Sequence, residues 1–139
     1  MVIDESTDFG ARAARHLREE IVVWLTTVSP RGAPLPMPVW FIWDGEDEVT
    51  VYSQPGARVR NLESNPRLTL NFAGDGHGGD IVVLSGTATL DRDGARADRD
   101  EDYVAKYEDR IARISHTPES FAERYNVPVR IRLERLRGH

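Results

Sequence analysis

The chain has 139 residues, 40% of them hydrophobic, and a formal net charge of −5, which predicts one domain that can bury a hydrophobic core. The acidic balance argues against a general nucleic-acid binder, which is normally basic. The absence of cysteine excludes disulfides, thiol nucleophiles and cysteine-ligated metals.

The first third of the chain predicts one helix followed by two strands. Apolar residues recur about once per turn from about Thr7 to Glu20, which predicts the helix. The β-branched run Ile21 to Val28 predicts a strand, and Leu35 to Trp43 predicts a second strand after a turn that contains proline and glycine.

The second predicted strand has two apolar faces. One face carries Trp40 and Ile42, and the opposite face carries Met37, Val39, Phe41 and Trp43. One face can fill a barrel. The other face then needs a partner chain, a planar ligand or both to cover it.

The remaining segments predict four more strands and three more helices. A third strand, Glu48–Ser53, leads into a short helix, Arg58–Ser64, and a fourth strand, Arg67–Phe72. After the glycine-rich loop Gly74–Asp80, a long strand spans Ile81–Asp91, with a bulge expected at Gly86. The last segments are a charged helix from Asp93 to about Ile114, a proline-started helix from Thr117 to Tyr125, and a strand over Val127–Leu136.

Six strands joined mainly by hairpins predict a single mainly-β (α+β) domain over residues 1–139, built as an antiparallel barrel. The acidic N-terminus, Met1 to Asp8, lacks the features of a signal peptide. The longest apolar run, Ile21 to Leu25, is far too short to cross a bilayer. We therefore expect a cytoplasmic protein with neither a membrane nor a nucleic acid as partner.

The segment Arg58 to Asn61 predicts an anion site. It follows a Gly-containing turn, so its two guanidinium groups lie in the first turn of a helix, beside free backbone N–H groups. Forked donors at this place suit a phosphate. A solvated helix face is the alternative interpretation.

Three stretches together resemble the pyridoxamine 5′-phosphate oxidase-like superfamily of flavin- and deazaflavin-binding split barrels. They are Thr26–Phe41, Val51–Ser53 and Ala57–Leu70. Within that superfamily the chain is most similar to small oxidoreductases that use coenzyme F420, a deazaflavin. The resemblance implies a six-stranded antiparallel split β-barrel of the FMN-binding type, with flanking helices. It also implies a homodimer that holds the cofactor at the subunit interface.

In that family, basic residues before and within the short helix hold the cofactor phosphate. The resemblance carries this role to Arg58 and Arg60, with Asn61 beside them and Ser53 as a further donor. It assigns contacts with the tricyclic ring to the second strand, through Met37, Pro38, Val39, Trp40 and Phe41. Proline lacks an N–H, so this proline-punctuated strand can turn backbone groups to a ligand, or form a rigid edge or a dimer contact.

The implied activity is hydride transfer between coenzyme F420 and a small conjugated organic substrate. The sequence shows no convincing acid, base or nucleophile set, as suits an enzyme whose cofactor carries the chemistry. Two alternatives stay open: an FMN-binding oxidase or reductase of the same fold, and a non-catalytic carrier of flavin, deazaflavin or haem-like rings. The Gly74–Asp80 loop is a candidate gate on the substrate side.

Two further sets of side chains bear on ligands. Four arginines near the C-terminus either hold the glutamate tail of F420 or form a wet strand face paired with the acidic helix; they are Arg130, Arg132, Arg135 and Arg137. Four histidines show no paired ligand spacing, so no metal site is expected; they are His16, His77, His116 and His139.

Overall fold

The computed structural model describes residues 1–139 and contains one seven-stranded antiparallel sheet and four α-helices. The helices are α1 (Asp8–Glu19), α2 (Ala57–Ser64), α3 (Glu101–Arg113) and α4 (Pro118–Arg124), and a 3-10 turn covers Ala97–Arg99. The strands are β1 (Val23–Val28), β2 (Pro34–Val39), β3 (Ile42–Trp43), β4 (Glu48–Ser53), β5 (Arg67–Asn71), β6 (Val82–Leu90) and β7 (Val127–Gly138).

The order of the strands shows that the sheet is curled. It runs β2-β1-β5-β6-β7-β4-β3, so β2 and β3 lie at opposite edges although they follow each other in the chain. Only Trp40 and Phe41 join them. Because successive Cα atoms are about 3.8 Å apart, Val39 and Ile42 lie within about 11 Å of each other. The two edges therefore nearly meet, and the gap that Trp40 and Phe41 cross is called the split below.

The split corrects the expected number of strands. The sequence predicted one strand over Leu35–Trp43 and six strands in all, whereas the structure has seven. Residues 34–39 pair with β1, and residues 42–43 pair with β4. One strand cannot pair with both β1 and β4, which lie near opposite edges of the sheet, so the strand pairing breaks at Trp40. The expected architecture, a mainly antiparallel sheet with flanking helices, is otherwise confirmed.

Two separate hydrophobic clusters stabilise the fold. The larger one fills the curled sheet with 23 buried residues, including Phe41 and Val39. The smaller one lies under α3 and α4, where Trp40 stacks on Tyr107 at 4.8 Å between ring centroids and on Phe121 at 5.6 Å. The second apolar face of the predicted strand is thus covered by helices of the same chain. The sequence had predicted a partner chain or a planar ligand there.

Local signals in the sequence place several boundaries correctly. Thr117 and Ser120 form a reciprocal capping box at the start of α4, with Pro118 in the first turn. The pairing of β6 with β7 shifts register between Ser85 and Gly86, as expected for a bulge. A Cβ atom at Gly86 would lie 2.7 Å from the Arg132 carbonyl oxygen, so glycine is required there. No helix is both long and apolar enough to span a membrane.

Candidate functional site

Arg58 lies at the centre of the candidate site. Strand β4 ends at Ser53, a turn follows, and α2 begins at Ala57 without a side-chain cap on its first N–H groups. The Arg58 side chain turns back along β4, where Nη1 donates to Ser53 Oγ at 2.9 Å. Its Nε is buried and has no hydrogen-bond partner. Burial lowers the pKa of this guanidinium, so the protein holds the positive charge here at a cost.

Two neighbouring cavities share Arg58 and Tyr125. The first, called the helix-start cavity, has a volume of about 360 Å³. It is lined by Leu35, Met37, Gln54, Gly56, Arg58 and Tyr125, among others. The second, called the aromatic cavity, has a volume of about 290 Å³. Its walls include Trp40, Tyr52, Tyr103, Ile114, Phe121 and Tyr125, with Arg58 on one side.

The structure brings some of the predicted site residues together at these cavities. Met37 lines the helix-start cavity, and Pro38, Val39 and Trp40 line the aromatic cavity. Ser53 is fully buried and supports Arg58 rather than facing either cavity. The contact of these residues with a cofactor stays a prediction.

Three other predicted site residues lie elsewhere. Arg60 is exposed, and two positions along a helix turn the side chain by about 200°, so it points away from Arg58. Asn61 is buried, and its amide donates to Thr27 Oγ1 at 3.1 Å. Phe41 is buried in the interior of the sheet with no exposed surface. Contact of these three residues with a cofactor stays a prediction.

Sequence reasoning did not select the residues that α3 and α4 contribute. Tyr103 and Ile114 come from the predicted charged helix, Phe121 and Tyr125 come from the predicted helix that starts at Thr117, and Tyr52 comes from β4. The available signal was the four-residue spacing of Tyr103 and Tyr107, which indicates a helix with one aromatic face. That spacing shows which face is buried but not what the face packs against.

The Tyr52 hydroxyl is held by a carboxylate. It donates to Asp100 Oδ2 at 2.7 Å, while Asp100 Oδ1 accepts the Tyr103 N–H at 3.1 Å and so caps α3. Burial, with a contribution from Asp100, raises the pKa of Tyr52 far above its ordinary value. Tyr52 therefore remains neutral and gives the aromatic cavity a fixed wall.

Two residues of α3 satisfy the backbone where the chain crosses the split. The Phe41 N–H donates to the Tyr107 hydroxyl at 2.9 Å, and that hydroxyl lies 2.7 Å from the Ile21 carbonyl oxygen. Lys106 Nζ donates to the Phe41 carbonyl at 3.1 Å and lies 3.8 Å from the centroid of the Phe41 ring. Burial lowers the pKa of Lys106 to about 8. These bonds replace the strand pairing that Phe41 lacks.

The four C-terminal arginines divide into two groups. Arg130 donates to Asp91 and to Thr50, both at 3.1 Å, and Arg132 lies 3.5 Å from Glu134. Arg135 and Arg137, together with Arg67, line an open groove of about 490 Å³. The groove lies on the outer face of the sheet, because neighbouring strands pair there through Thr26, Thr69, Ser85 and Arg135.

The glycine-rich loop lies apart from both cavities. Asp75 Oδ1 accepts the N–H groups of His77 at 2.7 Å and Gly79 at 3.0 Å. At the end of the loop, Asp80 bonds His16 and Arg12 of α1. No loop residue lines either cavity, so its role as a gate stays a prediction. No group of three potential ligand side chains is arranged to hold a metal ion.

Comparisons with known proteins agree with this geometry. Residues 9–137 match the model of the family described as pyridoxamine 5′-phosphate oxidase. No curated protein matches the chain.

Several solved structures share the fold at low sequence identity. One named F420 Reductase is 18% identical, with a TM-score of 0.62 over 87% of this chain and 92% of its own. A FAD-binding protein from Mesorhizobium loti is 18% identical, with a TM-score of 0.66 over 91% and 88% of the two chains. HutZ, the haem storage protein of Vibrio cholerae, is 17% identical, with a TM-score of 0.57 over 99% and 93%.

Proposed function

This chain belongs to the pyridoxamine 5′-phosphate oxidase family, and on that premise we propose that it is an oxidoreductase that uses coenzyme F420 as its hydride carrier. One observation carries the proposal: Arg58 lines both cavities, and its guanidinium makes a single hydrogen bond to the protein. An arginine has five N–H donors, and only one of those of Arg58 bonds to the protein. The remaining donors suit an anionic ligand.

The residues present fit a phosphate-bearing ring cofactor. Arg58 and the uncapped N–H groups at the start of α2 would hold the phosphate in the helix-start cavity. Arg60 would add only long-range charge, because its side chain points away. Anionic ligands at such helix starts gain from both the free N–H groups and the helix dipole.

The free edge of β2 would position the ring. Pro34, Pro36 and Pro38 have no N–H, so the N–H groups that pair with β1 belong to Leu35 and Met37. The edge therefore offers proline carbonyls as acceptors and no donors. The pyrimidine part of a flavin or deazaflavin carries an N–H that can donate a hydrogen bond to such a carbonyl. Met37 supplies an apolar contact.

When bound, reduced F420 supplies a hydride from C5 to a small conjugated organic acceptor, which also takes one proton from solvent. The chain's own part is to bind, orient and exclude water. The two cavities lie at the lower end of the size range for ligand sites, about 300–1,000 Å³. The whole coenzyme therefore extends beyond either cavity, and we propose that a second copy of the chain covers it in a homodimer.

The outer groove is the proposed place for the glutamate tail of F420. Arg67, Arg135 and Arg137 line it and form no ion pair, while Glu134, which also lines the groove, pairs with Arg132. The helix α2 connects the two places, since Gly56 lines the helix-start cavity and Asn65 lines the groove. Arg130 and Arg132 have partners in the protein, so only half of the C-terminal arginines serve this role.

FMN and haem-like rings are the competing ligands. FMN would use the same Arg58 anchor but lacks the polyanionic tail that matches the outer groove. Haem iron needs an axial ligand, most often histidine, and no histidine lines either cavity. This distribution of side chains favours the deazaflavin over both alternatives.

The proposal is tested by titrating the protein with F420, tail-free F420 and FMN under the same conditions. We expect F420 to bind at least tenfold more tightly than FMN, and the tail-free form to fall between them. Reduced F420 is then mixed with the protein and a panel of planar enones and quinones. Absence of F420 binding would refute the proposal, and tight binding without acceptor-dependent oxidation would identify a carrier instead.

A further inference from the structure

The aromatic cavity is separate from the surface assigned above to the coenzyme. It shares Arg58 and Tyr125 with the helix-start cavity but lies under α3 and α4. Its volume of about 290 Å³ is at the lower limit of about 300 Å³ for a drug-sized ligand. A molecule of one or two rings fits this size, and a tricyclic ring with its side chain does not.

The walls of the cavity select for flat, apolar molecules. Phe121 and Tyr125 stack at 4.2 Å between centroids with their planes 19° apart, and Trp40 stacks on Phe121. These stacked rings hold one another in place and make the cavity wall aromatic and apolar. Ile114 lines the cavity although 44% of its surface is exposed, which places an apolar side chain at the cavity mouth.

The polar groups that face the cavity differ in what they still offer. The Tyr52 hydroxyl is already donated to Asp100. Arg58 bonds only Ser53, through Nη1, and its Nε is buried without a partner. A buried donor left unpaired is costly, and an anion supplies the strongest compensating bond. Arg58 is therefore the only charged residue that lines the cavity.

We propose that the aromatic cavity binds a planar one- or two-ring molecule that carries a carboxylate or a comparable anion, with the anion at Arg58. This inference rests on the proposed function only in naming that molecule as the hydride acceptor. A hydride acceptor must touch the ring that donates the hydride, and the two cavities adjoin at Arg58 and Tyr125, which line both of them. Binding itself needs no coenzyme.

The test uses 2-naphthoate as the planar acid and 2-naphthamide as its neutral counterpart, titrated calorimetrically into the coenzyme-free protein. We expect naphthoate to bind about tenfold to a hundredfold more tightly, as one charge-assisted hydrogen bond predicts. Cyclohexane carboxylate, an anion without a flat ring, is expected to bind at least tenfold more weakly than naphthoate. Equal binding of acid and amide, or no binding of naphthoate at millimolar concentration, overturns the proposal.

Two matched variants localise the ligand. Ile114→Trp fills the cavity mouth and is expected to weaken naphthoate binding at least tenfold. Val22→Trp enlarges another exposed apolar residue, 42% accessible, that lines neither cavity, and it is expected to change nothing. Circular dichroism and thermal unfolding establish that both variants are folded. Unchanged naphthoate binding in Ile114→Trp contradicts the proposal.

Titration of the same variants with F420 separates this proposal from the proposed function. If Ile114→Trp loses F420 as well as naphthoate, the coenzyme ring occupies the aromatic cavity, and the acceptor assignment fails while the coenzyme assignment stands. If wild type binds naphthoate but not F420, the proposed function fails and the anion-binding cavity stands. Retained F420 affinity with lost naphthoate affinity is the result that we expect.

Discussion

Replacing Arg58 by methionine is expected to weaken coenzyme binding without destabilising the free protein. Methionine keeps an unbranched apolar stem but removes the guanidinium. In the free protein that guanidinium is half-buried and its Nε has no partner, and burial lowers its pKa. A side chain whose role is to stabilise the fold normally has its buried donors hydrogen-bonded. The unpaired Nε of Arg58 therefore indicates that this residue serves a ligand.

The magnitudes follow from the contacts of Arg58. Removing an unpaired buried donor gains about 1–3 kcal/mol, and losing the bond to Ser53 costs about 0.5–1.5 kcal/mol. Ser53 Oγ still donates to the Gln54 carbonyl at 2.8 Å. The free energy of unfolding should therefore stay constant or rise by up to about 2 kcal/mol. One lost charge-assisted bond to the phosphate raises the Kd for F420 about 10- to 150-fold.

Urea unfolding of the free protein and fluorescence titration with F420 measure the two effects separately. Arg60→Met is the matched control, since Arg60 lies in the same helix and is exposed. It should change the unfolding free energy by less than about 0.5 kcal/mol and the Kd by less than threefold. An Arg58→Met protein that is more than about 1 kcal/mol less stable yet binds F420 normally would make Arg58 a structural residue.

Two other substitutions test the interpretation of buried groups. Asn61→Ala leaves Thr27 Oγ1 without its donor and should lower the unfolding free energy by about 1–3 kcal/mol; an unchanged stability with weakened F420 binding would return Asn61 to the cofactor site. Burial lowers the pKa of Lys106 from its ordinary 10.5 to about 8. Between pH 8 and 9 the unfolded chain therefore binds more protons than the folded protein, so the free energy of unfolding of the wild type rises with pH. The rise should be about 0.5–1 kcal/mol after solvent screening, and urea unfolding of Lys106→Met should not show it.

Elements with local signals could be predicted from the sequence. Strand β4 has the expected bounds, Glu48–Ser53, because turn residues limit it on both sides. The start of α4 follows from Thr117 and Pro118, whose cap and fixed φ act within one turn. The bulge at Gly86 follows from a single residue without a side chain. In each case the residues that carry the sequence signal lie within a few positions of the structural feature that they determine.

The split could not be predicted in the same way. Trp40 and Phe41 continue the apolar alternation of β2, so periodicity alone extends the strand to Trp43. What ends it is the curl of the whole sheet, which brings β3 beside β4, together with a hydroxyl on Tyr107 that is 66 residues from Phe41 in the chain. The hydrogen bond of Asn61 could not be predicted for a related reason, since Thr27, its partner, lies 34 residues away in the chain.

The separation of the two hydrophobic clusters explains how such a site can change its ligand while the fold persists. The 23 buried residues inside the sheet fix the strands, whereas the cavity walls belong largely to a separate cluster of seven buried residues and the side chains packed on it. The crossing at Trp40 and Phe41 contributes to both clusters, because Phe41 faces the sheet interior and Trp40 faces the helices. Substitutions on α3 and α4 are expected to alter the cavity without disturbing the packing inside the sheet, except at Lys106 and Tyr107, which bond the backbone of Phe41. Substitutions at the crossing are expected to disturb both clusters, so under the proposed function the helices would set ligand specificity and the split would set the geometry of the cofactor.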